Sequence, residues 1–140
     1  MRRLLTLPLL LALAACDSGV EDTLVGGTYD VTLYGPEVRA DGAVGTGTLV
    51  LRATSTGLRP VSVSGTWRLR FTTDDGTRVD GTGVVRGWFD GASASLELGH
   101  EDVADAGYHL SGTVDADEIR GEWTVEYGVS EGTSLFVARR

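Results

Sequence analysis

From Val61 to Thr72 every second side chain is apolar or Gly: Val61, Val63, Gly65, Trp67, Leu69 and Phe71. Ser62, Ser64, Thr66, Arg68, Arg70 and Thr72 fill the positions between them. A strand sends successive side chains to opposite faces, so this segment has one core face and one water face. No stretch of comparable length downstream of residue 25 repeats with the period of a helix. The alternation therefore decides most about what the chain can become.

Seven further segments carry the same pattern. Tyr29, Val31 and Leu33 share a face, and Gly47, Leu49, Leu51 and Ala53 follow. Val79, Gly81, Gly83, Val85, Gly87 and Phe89 form the next inward row after the Val61 segment. Then come Ala92, Ala94, Leu96 and Leu98; Tyr108, Leu110, Gly112 and Val114; and Ile119, Gly121, Trp123, Val125 and Tyr127. The eighth segment is short, near Thr133 to Arg139, with Leu135 and Val137 expected inward and Phe136 outward.

Turn residues test these faces, because a slip of one residue would turn every side chain over. Asp90-Gly91 is a two-residue hairpin signal. As the loop, it pairs Phe89 with Ala92, Gly87 with Ala94 and Val85 with Leu96. Asp74-Asp75-Gly76 suits a three-residue loop with Gly in the left-handed position. It pairs Phe71 with Val79 and Trp67 with Gly83, and sets Arg70 opposite Asp80 outside. A turn at Ala116-Asp117 pairs Val114 with Ile119 and Leu110 with Trp123. All three turns keep the apolar rows together, as a foldable sequence requires.

Eight antiparallel strands with one apolar face cannot stay an open flat sheet. Closing them buries that face and removes the edges. The expected fold is all-β: an eight-stranded antiparallel up-and-down meander β-barrel over residues 26–140, after an N-terminal signal peptide helix. The interior of such a barrel is just wide enough to be filled by side chains or to hold one small ligand. Inward Gly at 47, 65, 81, 83, 87, 112 and 121 gives room for the indoles of Trp67 and Trp123 and lets the strands curve. The outward Ser, Thr, Arg, Asp and Glu face water, not the lipid of a transmembrane barrel.

The first residues carry a different message. Arg2 and Arg3 precede an apolar run from Leu4 to Leu13, which is followed by Ala14, Ala15 and Cys16. A charged start, a short apolar run and small residues describe a secretory signal, cleaved here between Ala15 and Cys16. The run is shorter than the roughly 20 residues a membrane span needs. Leu13-Ala14-Ala15-Cys16 resembles the lipobox of bacterial lipoproteins. The resemblance implies cleavage after residue 15, a lipid on Cys16, and residues 16–25 as lipidated Cys and polar tether. It places the protein in a bacterial cell envelope, held in the inner or outer membrane through Cys16, with its domain facing the periplasm or the exterior. Asp17 favours inner-membrane retention in enteric lipoproteins, a rule that varies between bacterial groups. Cys16 is the one cysteine, so no internal disulfide can form.

All twelve basic residues are Arg, against 20 acids, for a net charge of −8. Loss of Arg2 and Arg3 would make the mature charge −10. That balance argues against nucleic acid and anionic membrane surfaces as partners.

Ser64-Gly65-Thr66-Trp67-Arg68-Leu69-Arg70-Phe71 and Arg120-Gly121-Glu122-Trp123-Thr124-Val125-Glu126-Tyr127 repeat one motif, Gly-x-Trp-x-aliphatic-x-aromatic. A meander barrel with Gly-x-Trp resembles the calycin group, lipocalins and avidins, in architecture only. Lipocalins carry the motif on the first strand; here it falls on the third and seventh. No ligand residue carries across, and fold does not imply function.

An up-and-down meander sends alternate connections to opposite ends. The end away from the tether collects Glu37, Asp41, Asp74, Asp75, Glu101, Asp102, Asp105 and Glu131, with Arg39 the sole base in those loops. This acidic rim suits a cation or a cationic ligand, but its spacing matches no EF-hand loop, and a solvated surface is its ordinary meaning. His100 is expected in that rim and His109 on the outward face; two His without a third ligand do not make a zinc site. No metal and no cofactor is expected. No Gly-x-Ser-x-Gly elbow appears, and every inward position assigned above is apolar or Gly, so no catalysis is expected. Trp88 alternates outward near the tethered end, where it can anchor an interaction or touch a bilayer interface.

Two functions fit. In the first, the barrel binds a small apolar or amphipathic ligand, with Trp67, Trp123, Tyr29, Tyr108 and Tyr127 around it. In the alternative, these side chains fill the barrel, which serves as a non-catalytic structural or interaction lipoprotein contacting another envelope protein.

Overall fold

The structure is a computed structural model that describes residues 25–35, 43–54, 59–73, 75–101, 107–125 and 134–140. Eight strands follow in order: β1 (Gly27–Tyr34), β2 (Ala43–Ala53), β3 (Val61–Thr72), β4 (Arg78–Asp90), β5 (Ser93–His100), β6 (Gly107–Asp115), β7 (Glu118–Val125) and β8 (Ser134–Arg139). Each pairs antiparallel with the next, and β8 pairs with β1, so the sheet closes into a barrel. No helix occurs among the described residues. The expected all-β meander barrel is the fold. The expected signal peptide helix, Cys16 and the expected tether up to residue 24 lie outside the described residues.

The inward rows build the core. Val31, Leu33, Leu49, Leu51, Leu69, Val85, Leu96, Leu98, Leu110 and Ile119 are almost wholly buried. Strand β3 carries the plainest pattern, with Val61, Val63, Trp67, Leu69 and Phe71 buried against exposed Ser62, Thr66, Arg68, Arg70 and Thr72. Burial at this density is the main force holding such a barrel together.

Two of the three turns keep the expected partners. Phe71 pairs with Val79, Trp67 with Gly83 and Arg70 with Asp80. Gly76 takes φ 84°, the left-handed conformation the loop demands of it. Val114 pairs with Ile119 and Leu110 with Trp123 across the Ala116 turn. Ala116 itself has φ 48°, a conformation that is costly for a residue with a Cβ.

The Asp90-Gly91 hairpin differs. Asp90 pairs with Ser93, so the loop is Gly91-Ala92, with Gly91 at φ 57°. The first loop position needs the positive φ, and Gly91 takes it. Phe89 therefore meets Ala94, Gly87 meets Leu96, and Val85 meets Leu98. The slip is two residues, so the faces survive while the partners change. Ala92 belongs to the turn, not to the inward row.

Strand β8 is turned over relative to expectation. Phe136 and Ala138 are buried, at 1% and 0% exposure, while Leu135 is 36% exposed. Both neighbours set this register: Phe136 faces Leu33 of β1 and Gly121 of β7. A segment reading Leu-Phe-Val-Ala is apolar on either face, so only closure can choose.

Glycine provides the curvature. A Cβ on Gly65 would collide with the Val50 carbonyl of β2, which passes close beneath it. A Cβ on Gly83 would collide with the Gly99 carbonyl and stand 2.8 Å from the Trp67 indole nitrogen.

Candidate functional site

Alternate connections leave from one end of the barrel, and near that end the interior holds a cluster of rings. Trp67 from β3 reaches over Gly81 and Gly83 of β4, which offer no Cβ to block it. Its ring meets His100 at 4.8 Å and Tyr108 at 5.5 Å between centroids, both close to perpendicular. Phe71 meets Tyr108 at 5.5 Å and Trp123 at 5.3 Å. Tyr108 and Trp123 stand 6.1 Å apart. Edge-to-face pairs at these separations are favourable beyond the area they bury.

The polar atoms of the cluster are also engaged. The Trp67 indole N–H donates to the Gly99 carbonyl at 2.9 Å. The Trp123 N–H reaches the Tyr34 carbonyl at 3.4 Å. His100 Nε2 and the Tyr108 hydroxyl share a hydrogen bond of 3.1 Å. Burial raises the Tyr108 pKa above its ordinary value, so the phenol is neutral at physiological pH.

Trp67, Trp123 and Tyr108 thus come together in the core. Tyr29 does not join them. It lies toward the opposite end, where its hydroxyl donates to the Val25 carbonyl at 3.3 Å. Its pKa is raised by burial and by Asp117, against the lowering influence of Arg140. Tyr127 lies outside the described residues.

His100 corrects the expectation that every inward position is apolar or Gly. It closes β5, pairs with Gly83, and turns its ring into the cluster. Its place beside Glu101 in the sequence made it look like a loop residue. The signal that could have found it was the row Ala94, Leu96, Leu98, continued by one step of two.

Of the acidic rim, Asp75 and Glu101 are described and exposed. Asp75 accepts hydrogen bonds from the Thr73 hydroxyl and the Thr77 backbone N–H, which hold its carboxyl below the usual range. Glu37, Asp41, Asp74, Asp102, Asp105 and Glu131 lie outside the described residues. Among the described residues no group of three His, Cys, Asp or Glu stands ready to hold a metal ion.

At the other end, Glu118 stands between Arg120 and Arg139, the latter at 2.6 Å. Their hydrogen bonds, Arg139 first, hold its carboxyl below the usual range. The Arg140 backbone N–H donates to Asp117, and its guanidinium donates to the Gly26 carbonyl, tying the last residue to the start of β1.

The outer wall is uneven. Trp88 is 41% exposed on β4, as the alternation requires. Open depressions of about 480, 360 and 220 Å³ lie on the wall formed by β2, β3 and β4.

The fold defines a class: a closed eight-stranded antiparallel meander barrel, compatible with the calycin architecture. No protein-family model matches the chain, and no curated protein and no solved structure matches it either.

Proposed function

We propose that this chain is a lipid-anchored cell-envelope lipoprotein whose barrel is a packed, non-catalytic interaction module. The observation that carries the reading is the ring cluster. Trp67, Phe71, Tyr108 and Trp123 occupy the interior near the distal end against one another, with both indole N–H groups donating to backbone carbonyls. Side chains that satisfy each other in this way leave little for a guest to replace. The reading assigns no reaction and no cofactor. Its partners are the membrane, through the lipid on Cys16, and another envelope protein.

The anchor rests on the Leu13-Ala14-Ala15-Cys16 motif. It is tested by the intact mass of protein extracted from membranes in detergent. The expected species begins at Cys16 and carries acyl chains; Cys16→Ser should leave the membrane fraction. A full-length, unacylated species would remove the anchor.

The second reading is a barrel that binds a small apolar or amphipathic ligand. His100 favours it, because a half-buried, inward polar ring at the distal mouth could orient a guest. A saturable change in tryptophan emission on titration with such ligands would support that reading over the packed barrel.

A further inference from the structure

Arginine is segregated on this barrel. Arg52, Arg68, Arg70, Arg78 and Arg86 all lie on the outer wall of β2, β3 and β4, where Asp80 and Asp90 are the only acids. The outer faces of β5, β6, β7, β8 and β1 carry five acids, Glu97, Asp115, Glu118, Glu122 and Asp30, against two arginines, Arg120 and Arg139, both of which pair with Glu118. A chain with a strongly negative total thus has one positive side.

The arginines of that side are not equivalent. Arg68 and Arg70 both reach Asp80, at 3.9 and 2.8 Å. Arg52 and Arg86 have no ion-pair partner among the described residues. Glu97 sits opposite Arg86 in the ladder without closing a salt bridge. Arg52 and Arg86 flank Ser64 in one cross-strand row, Arg52–Ser64–Arg86. Adjacent strands lie about 4.8 Å apart, so the two side chains rise roughly 10 Å from each other. Between them is the depression of about 360 Å³, lined also by Val50, Thr66 and Val84.

Two of the three exposed large hydrophobic residues in the described chain flank Arg86 on the same face of β4: Val84 at 44% and Trp88 at 41%. Val84 stands at mid-strand, and Trp88 lies near the end of the barrel where β1 begins, the tethered end on the anchor reading. The described chain starts at Val25, and Gly27 pairs with Leu51, the neighbour of Arg52. Nine residues separate Cys16 from Val25 in the sequence, counting Cys16, and a chain of that length spans at most about 30 Å.

We infer that the tethered half of the β2–β4 wall is a membrane-docking face. Arg52 and Arg86 pair with lipid phosphates, and Trp88 and Val84 enter the headgroup layer, so the barrel lies on its side against the bilayer. An aromatic ring at headgroup depth beside basic side chains is the arrangement interfacial contacts use. Asp90 beside Trp88 and Glu97 opposite Arg86 lie within the same patch, whereas screening over about 8 Å weakens the influence of the acids on the farther strands. Docking therefore depends on the two arginines that close no salt bridge among the described residues and on the Trp88 ring, not on the net charge of the chain. The inference rests on the anchor reading only for the direction from which the bilayer approaches.

The test uses the full protein in vesicles of phosphatidylethanolamine and phosphatidylglycerol with brominated acyl chains, which quench tryptophan on contact. Trp67 and Trp123 are buried, so quenching reports Trp88. The expected result is strong quenching that Trp88→Phe abolishes and added salt weakens. Removing both charges, Arg52→Ala with Arg86→Ala, should lower the docked-to-undocked ratio about thirty-fold at low salt. Arg68→Ala, on the other half of the wall, should leave it unchanged. Unquenched Trp88, salt-insensitive quenching, or equal quenching in the double variant would overturn the proposal. The intact mass of the same preparation separates the two ideas. Acylated protein with unquenched Trp88 sinks the docking face alone. Unacylated protein sinks the anchor alone, and adding the same vesicles to it still reads Trp88.

Discussion

Trp67 and Trp88 stand on adjacent strands of one barrel and live in opposite environments. Trp67 is 3% exposed, ringed by His100 and Tyr108, with its N–H on the Gly99 carbonyl. Trp88 is 41% exposed with Arg86 and Asp90 on either side of it on the same face. The difference comes from parity alone, since one is in an odd and the other in an even position of the alternation. It teaches that the two faces of this sheet have separate duties: the inner face fixes the fold, and the outer face is free to meet a partner.

The sharpest way to break that division is to truncate both. Trp67→Ala should cost about 3–5 kcal/mol of stability in denaturant unfolding. Trp88→Ala should change it by no more than about 0.5 kcal/mol. Similar losses at both positions would mean that the outer wall also belongs to the core. The same contrast applies within β8: Phe136→Ala should cost about 3–5 kcal/mol, and Leu135→Ala less than about 1 kcal/mol. The reverse order would restore the face that the local sequence suggested.

Smaller effects sharpen the picture at the backbone. Gly65→Ala should cost about 1–3 kcal/mol, because the obstructing atom is a β2 carbonyl held in the ladder. A neutral result would show that the barrel can relax at that corner. On the outer face, Glu118 should contribute a pH dependence of known sign. Its pKa is lowered in the fold, so its stabilisation is present above the ordinary carboxylate value and fades as pH falls through the lowered one. Melting curves of Glu118→Gln across that acid range should lose this part of the slope. Ala116→Gly, which relieves a positive φ, should raise stability by up to about 1 kcal/mol.

The parts legible in the sequence are those where chemistry differs sharply between faces. β3 sets Trp and Phe against Arg and Ser, and Gly76 fixes its hairpin, so both the face and the partners of β4 could be written down. β8 has Leu135, Phe136, Val137 and Ala138 in a row, and only its two neighbours decide which pair turns inward. The Gly91 hairpin shows the same limit on a finer scale. The signal for a turn was clear, but whether Asp90 or Ala92 joined Gly91 in the loop depended on which residue needed the positive φ. At the candidate site, Trp67, Trp123 and Tyr108 were found by parity, whereas His100 was hidden by the acidic residues that follow it. The row Arg52–Ser64–Arg86 was legible only in half: Ser64 opposite Arg86 follows from the Gly76 hairpin, while Arg52 opposite Ser64 depends on the β2–β3 register, which no turn signal fixes.

Native mass spectrometry of the mature protein, purified gently from its own host, tests the packed barrel most directly. The account predicts the mass of the acylated polypeptide with nothing else bound. A reproducible adduct of fixed mass that disappears on denaturation would contradict it, and would make the ring cluster the wall of a binding site.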